Sequence, residues 1–176
     1  MKQTIVCEYC ETKNPLSNSH CLSCNAVLRG GPSPQSKAGL DSFSTAVMKL
    51  CEPYEASEWC NIQETAAPKK LARATETFGI PADEQILVLY DDTLFGSNKN
   101  GFAICREGLY WRNSWDTPTK RTSLSWEKFV ERPIKLEGSS VDFGRGDQIS
   151  VTASSSEDQQ QIVAFFRKLQ ELLRDL

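Results

Sequence analysis

Histidine is nearly absent from this chain: His20 is the single one in 176 residues. The commonest general base and the commonest nitrogen ligand are therefore missing everywhere else. The chain also has no Gly-x-Ser-x-Gly nucleophile turn, no Gly-x4-Gly-Lys phosphate loop and no Gly-x-Gly-x2-Gly dinucleotide turn. An excess of positive charge is missing too. The net charge is −3 and the isoelectric point near 5.3, which leaves no global footprint for nucleic acid or an anionic membrane. No segment approaches the roughly 18 consecutive apolar residues of a membrane helix. Residues 1–6 hold no apolar run of signal-peptide length. No repeat points to a solenoid. These absences argue against an enzyme.

Cysteine is present, and at an informative spacing. Cys7, Cys10, Cys21 and Cys24 read Cys-x2-Cys, ten residues, Cys-x2-Cys. Two residues between cysteines let one tight turn aim both sulfurs at a common point. Two such turns supply the four soft ligands of a tetrahedral Zn²⁺ site. With every position filled by protein, the ion is structural and not catalytic. His20, directly before Cys21, is not needed as a ligand. Cys51, Cys60 and Cys105 are left over. Unpaired thiols beside a zinc motif suit a reducing compartment, so the expected location is the cytoplasm. Cys51 and Cys60 stand nine apart without Cys-x2-Cys geometry, so these three read as core cysteines. A metal or redox sensor would have to use them.

Composition divides the chain into residues 1–29, the metal module; 30–38, a Gly/Pro/Ser linker; 39–67, helical then irregular; and 68–176, the main domain. Leu40, Phe43, Val47 and Leu50 recur at helical spacing until Pro53. A second helix is predicted from Pro68, with Leu71, Ala74 and Phe78 on one face and Gly79 as its stop. From residue 84 the period changes. Strands are expected at 86–90, 102–105, 109–112, 119–125, 133–137, 140–143 and 148–152, with one helical turn at 126–129. Arg106-Glu107-Gly108 reads as a tight turn with glycine at positive φ. Ser155 and Asp158 open a last helix whose stripe is Ile162, Phe166, Leu169, Leu173 and Leu176.

Residues 6–28, with both cysteine knuckles, an Asn14-Pro15 turn and the closing Leu28, resemble the short zinc-ribbon domains common in bacterial proteins. The chain departs from that pattern at Glu11 and Asn25, where glycine is usual. Residues 66–176 carry Tyr90-Asp91-Asp92-Thr93-Leu94-Phe95-Gly96, Asn100-Gly101-Phe102-Ala103 and Gly108-Leu109-Tyr110-Trp111. That pattern resembles a bacterial module of unknown function with the strand order of pleckstrin-homology-like domains. The resemblance implies a zinc ribbon plus an α+β domain: a seven-stranded antiparallel barrel or sandwich with a C-terminal capping helix.

Asp91 and Asp92 are adjacent and on a strand face opposite sides, so they read as turn acceptors, with Asp92 or Thr93 fixing the loop that carries Phe95-Gly96. The segment 112–135 holds Arg112, Lys120, Arg121, Lys128, Arg132 and Lys135, with Trp111, Trp115 and Trp126 in or beside it. Such a mixture can bind phosphates and stack on bases, but a solvated face over core tryptophans explains it as well. The loop 97–100 has one lysine, which gives no phosphoinositide signal. The expected function is a non-enzymatic, zinc-binding adaptor between proteins. Nucleic-acid binding through the ribbon or the segment 112–135 is the alternative, and a metal or redox sensor the third reading.

Overall fold

The computed structural model describes residues 4–6, 12–15, 23, 42–57, 59–62, 66–93 and 96–175. The four motif cysteines, His20, Glu11, Asn25, Leu28, the linker 30–38, Leu40, Phe95 and Leu176 lie outside the described residues. The chain divides into two units, Met1–Leu40 and Asp41–Leu176.

In the first unit, β1 (Thr4–Val6) pairs antiparallel with β2 (Lys13–Pro15), Val6 opposite Lys13 and Thr4 opposite Pro15. Asn14 and Pro15 were expected to form a turn; both lie in β2 instead. A two-stranded sheet has only edge strands, which tolerate proline. Asn14 is buried, and its Nδ2 donates to the Thr12 carbonyl at 2.7 Å.

The second unit begins with α1 (Ser42–Cys51), a 3₁₀ turn at Glu52–Tyr54, β3 (Asn61–Ile62) and α2 (Pro68–Phe78). Then come β4 (Ile86–Asp91), β5 (Gly101–Cys105), β6 (Gly108–Arg112) and β7 (Ser123–Ser125). After α3 (Trp126–Phe129) follow β8 (Lys135–Glu137), β9 (Ser140–Asp142), β10 (Gln148–Ser150) and α4 (Ser156–Arg174). The strands form an antiparallel five-stranded sheet, β3-β4-β5-β6-β7, and a three-stranded sheet, β8-β9-β10. The fold is α+β with a C-terminal helix. A closed barrel is not formed: among the described residues no strand pair joins the two sheets. Between them the chain spends α3 and Pro133 where a continuous strand would be needed. No helix among the described residues is long and apolar enough to cross a membrane.

The strand β4 explains the architecture. Ile86, Leu87, Val88, Leu89 and Tyr90 are all buried, so both faces of the sheet are covered. Phe102, Ile104, Leu109 and Trp111 face one core, shared with Phe143, Ile149, Val151, Ile162, Phe166 and Leu169. Ala103 and Cys105 face the other, shared with Ala74, Phe78 and Ile80 around α2. A register shift between Ile86 and Val88 lets the neighbours Leu87 and Val88 serve the same core.

Residues 42–62 belong to the larger core. Tyr54, Trp59 and Phe165 meet ring to ring, with centroids 5.1, 5.5 and 5.8 Å apart. Trp59 Nε1 donates to Gln161 Oε1 at 3.3 Å, and Asn61 pairs opposite Leu89 in the sheet. The stretch read as irregular thus supplies an edge strand.

Two glycines are set by close approach. Gly101 has φ +133, and a Cβ there would stand 2.1 Å from the Tyr90 carbonyl oxygen. Gly108 does not have the positive φ expected of it; its Cβ would stand 2.8 Å from the Leu124 carbonyl oxygen, so the constraint is contact with β7. Ser155 caps α4, its Oγ accepting from the Asp158 backbone N–H at 3.1 Å.

Phe166 is fully buried, with Phe102, Phe129, Phe143 and Phe165 around it. Phe166→Ala is expected to lower stability by about 3–5 kcal/mol, read from the urea midpoint of far-ultraviolet dichroism.

Candidate functional site

The motif cysteines Cys7, Cys10, Cys21 and Cys24 lie outside the described residues, but the strands around the first pair are described. β1 ends at Val6 and β2 starts at Lys13, and the two strands pair antiparallel. Ser23, between Cys21 and Cys24, is an exposed turn residue. Four thiols are a complete donor set for Zn²⁺. Among the described residues no cluster of three or more His, Cys, Asp or Glu could hold a metal ion.

The spare cysteines separate into a pair and a singleton. Cys51 ends α1 and Cys60 precedes β3; both are buried, and their side chains share a hydrogen bond. All three spare cysteines are buried, as core cysteines are expected to be. The side-chain hydrogen bond between Cys51 and Cys60 acts on both titrations. That contact holds the Cys60 thiol below its ordinary value, although burial and Glu55 oppose it. The same contact, with burial and the charges of Cys60 and Glu55, pushes the Cys51 thiol up. Cys105 sits alone in the core under α2, where burial, and next the Glu84 carboxylate, push its thiol up.

Asp91 and Asp92 hold the end of β4. Asp91 Oδ1 accepts from the Thr93 backbone N–H at 3.1 Å and Oδ2 from the Asn98 N–H at 3.0 Å. Thr93 Oγ1 accepts from the Ser97 N–H at 2.8 Å. The loop is therefore fixed by Asp91 with Thr93. Asp92 has a different task. Its carboxylate, buried, accepts from the Tyr90 hydroxyl at 2.8 Å, Ser150 Oγ at 2.6 Å, Thr152 Oγ1 at 3.0 Å and the Ala153 N–H at 2.7 Å. This ties β4 to the connection between β10 and α4. Burial pushes the Tyr90 hydroxyl well up, which suits it as a donor to Asp92. The loop keeps one unmet cost: the buried Asn98 amide, at φ +48, has no partner for its side-chain nitrogen or oxygen.

The basic segment is divided in use. Asp147, wholly buried, accepts from Arg132 Nη2 at 2.9 Å, Arg121 Nη1 at 2.8 Å and Thr119 Oγ1 at 2.9 Å. Arg112 Nη1 donates to the Thr77 carbonyl at 3.3 Å. Lys128 and Lys135 are exposed. Of the tryptophans, Trp111 is core, Trp126 is half-buried against Phe43 and Phe129, and Trp115 is 40% exposed. Trp115 lines a groove of about 610 Å³ beside the C-terminal end of α2, with Glu76, Arg112, Asp116, Lys120 and Arg121. The groove offers one open aromatic surface and charges of both signs.

Sequence reasoning missed the four-donor clamp on Asp92 and the Asp147 ion pairs. Each joins positions far apart along the chain or across an irregular turn, so no local period announces it. No family model, curated protein or solved structure matches this chain.

Asp147 and Arg132 are nearly or wholly buried, whereas the Arg121 side chain is 42% exposed. Asp147→Ala, which strands the Arg132 charge, is expected to lower stability by about 3–5 kcal/mol. Arg121→Ala should cost below about 1 kcal/mol. Paired urea titrations check both, and equal losses would contradict the assigned division of labour.

Proposed function

We infer that this chain is a non-enzymatic adaptor between proteins: a ribbon folded around one structural Zn²⁺, joined to a pleckstrin-homology-like domain. The observation that carries the reading is the cysteine quartet, its first Cys-x2-Cys set between two antiparallel strands. Cys7, Cys10, Cys21 and Cys24 would hold the ion, and its binding free energy would be the ribbon's folding free energy. A reducing, cytoplasmic setting suits four metal thiolates and three unpaired thiols.

The order of elements supports the second half. Strands β4 to β7 lie in one sheet, β8 to β10 in another, and α4 follows as the last helix. The resemblance at residues 66–176 implies that order for a pleckstrin-homology-like domain. Among the described residues, the two buried carboxylates are engaged in holding the fold. Asp92 accepts from four donors and Asp147 from three.

The groove at Trp115 supports a polypeptide partner over nucleic acid. Arg112, Lys120 and Arg121 are offset there by Glu76 and Asp116, and two of the three cations already have protein partners. A phosphate track needs an uncompensated row of cations. In residues 1–29, Lys2, Lys13 and Arg29 outnumber Glu8 and Glu11 by one. Four thiolates on Zn²⁺ carry a net charge of about −2, which turns that surplus into a deficit.

The purified chain is expected to hold one equivalent of zinc. The Cys21→Ser/Cys24→Ser variant should lose it, with the unfolding of residues 41–176 unchanged. Metal content by plasma mass spectrometry and a thermal melt read both. Affinity purification from the native host, with and without nuclease, then addresses the partner. The adaptor reading expects a stoichiometric protein that survives nuclease and is lost with Trp115→Ala. A metal-free wild-type chain, or partners lost to nuclease and to moderate salt, would sink it.

A further inference from the structure

We propose that the edge of β7 takes an extended segment of the partner polypeptide as a sixth strand of the sheet, an inference that rests on the adaptor reading above. The register fixes which groups face outward. Trp111 N–H donates to the Thr122 carbonyl at 2.8 Å, so Thr122 and, two residues on, Leu124 turn their backbone groups toward β6. Ser123 and Ser125 turn theirs away. Among the described residues no group meets the Ser123 N–H, the Ser123 carbonyl or the Ser125 N–H. Both serines are exposed.

The other sheet edges of the second unit are guarded. β3 is two residues long. β8 presents the exposed charges of Lys135 and Glu137 behind Pro133, and Arg167 Nη2 donates to the Ile134 carbonyl at 3.0 Å. At β10 the Asn113 side chain takes the place of a strand. Its Nδ2 donates to the Gln148 carbonyl at 2.9 Å, and its Oδ1 accepts from the Ser150 N–H at 2.9 Å. Charges, proline and covering groups keep a sheet edge from pairing with another chain. Among the described residues, β7 (Ser123-Leu124-Ser125) has none of these.

The occupant follows from the length of the edge and from what lies at its end. An open row of N–H and C=O groups is matched by another extended backbone. A second copy paired through β7 alone makes a contact about 10 Å long, well short of the roughly 1,200 Å² that a stable interface buries. A partner segment has a second foothold. Arg121 and Thr122, the two residues before β7, line the groove that holds the exposed Trp115 ring. A segment paired with Ser123 therefore runs on past Thr122 into that groove, where Trp115 receives an apolar side chain flanking the paired residues. Main-chain bonds supply affinity, and Trp115 supplies the side-chain preference.

The test selects binders to the full chain from a phage-displayed library of random dodecapeptides and measures the strongest, synthesised, by fluorescence polarisation. Ser123→Pro removes one outward N–H and no ladder bond, so the sheet is kept. It is expected to weaken peptide binding about tenfold or more. Ser123→Ala, which keeps the backbone N–H, should leave binding unchanged, and Trp115→Ala should weaken it. N-methylation along the peptide should abolish binding at alternate residues only, and that pattern decides should Ser123→Pro fail to fold. Binding indifferent to both Ser123→Pro and N-methylation overturns the proposal, as does a library that yields no binder. A dimer of the free chain in sedimentation, lost in Ser123→Pro, overturns the choice of occupant in favour of a second copy. Strand addition and the adaptor reading fail separately. A host protein captured equally by wild type and Ser123→Pro ends strand addition and leaves the adaptor. Peptide pairing at β7 with no nuclease-resistant host partner supports the edge as a peptide site and ends the adaptor.

Discussion

A sheet that is apolar on both faces must be covered on both faces, and the second unit is organised around that requirement. Five consecutive residues of β4 are buried, so no face of the strand can be left to water. One face takes α2 through Ala74 and Phe78. The other takes far more: α4, the three-stranded sheet and the segment around Tyr54 and Trp59. Phe166 stands where these layers meet, within ring contact of residues from β5, α3, α4 and the loop after β9. Apolar burial drives the assembly, at about 25 cal/mol per Å² removed from water. The short strands β8 to β10, three residues each, depend on that burial because their own ladders are brief.

Polar groups complete what burial cannot specify. The irregular connections of this unit are tied down by two buried carboxylates. Asp92 gathers Tyr90, Ser150, Thr152 and Ala153, and so sets how β10 hands over to α4. Asp147 gathers Thr119, Arg121 and Arg132, and so ties the long β6–β7 connection to the turn before β10. A buried carboxylate is tolerated only when its lone pairs are met, and here they are.

Much of the architecture was legible. The seven strands from residue 86 onward, the helical turn at Trp126 and the capped last helix all follow from apolar period and turn residues, because those signals are local. Where the reading failed, the deciding contact was not local. Asn14-Pro15 carries turn residues yet pairs in β2, because Ile5 and Thr4 stand opposite. Gly108 looks like a turn glycine yet is fixed by the Leu124 carbonyl across the sheet. Asn61 and Ile62 are too short a stretch to show alternation, and only β4 makes them a strand.

By itself, the sequence determined which chemistry is on offer: four cysteines at metal-ligand spacing, one histidine, and no phosphate or nucleophile motif. Spacing of two residues allows two thiols to converge, and that spacing is visible without a fold. Tertiary structure alone decided which of the remaining groups meet. It committed Asp92 and Asp147 to the frame, buried Trp111 and left Trp115 open. The physical reason is that such encounters depend on how layers pack, and packing joins residues whose separation along the chain carries no period.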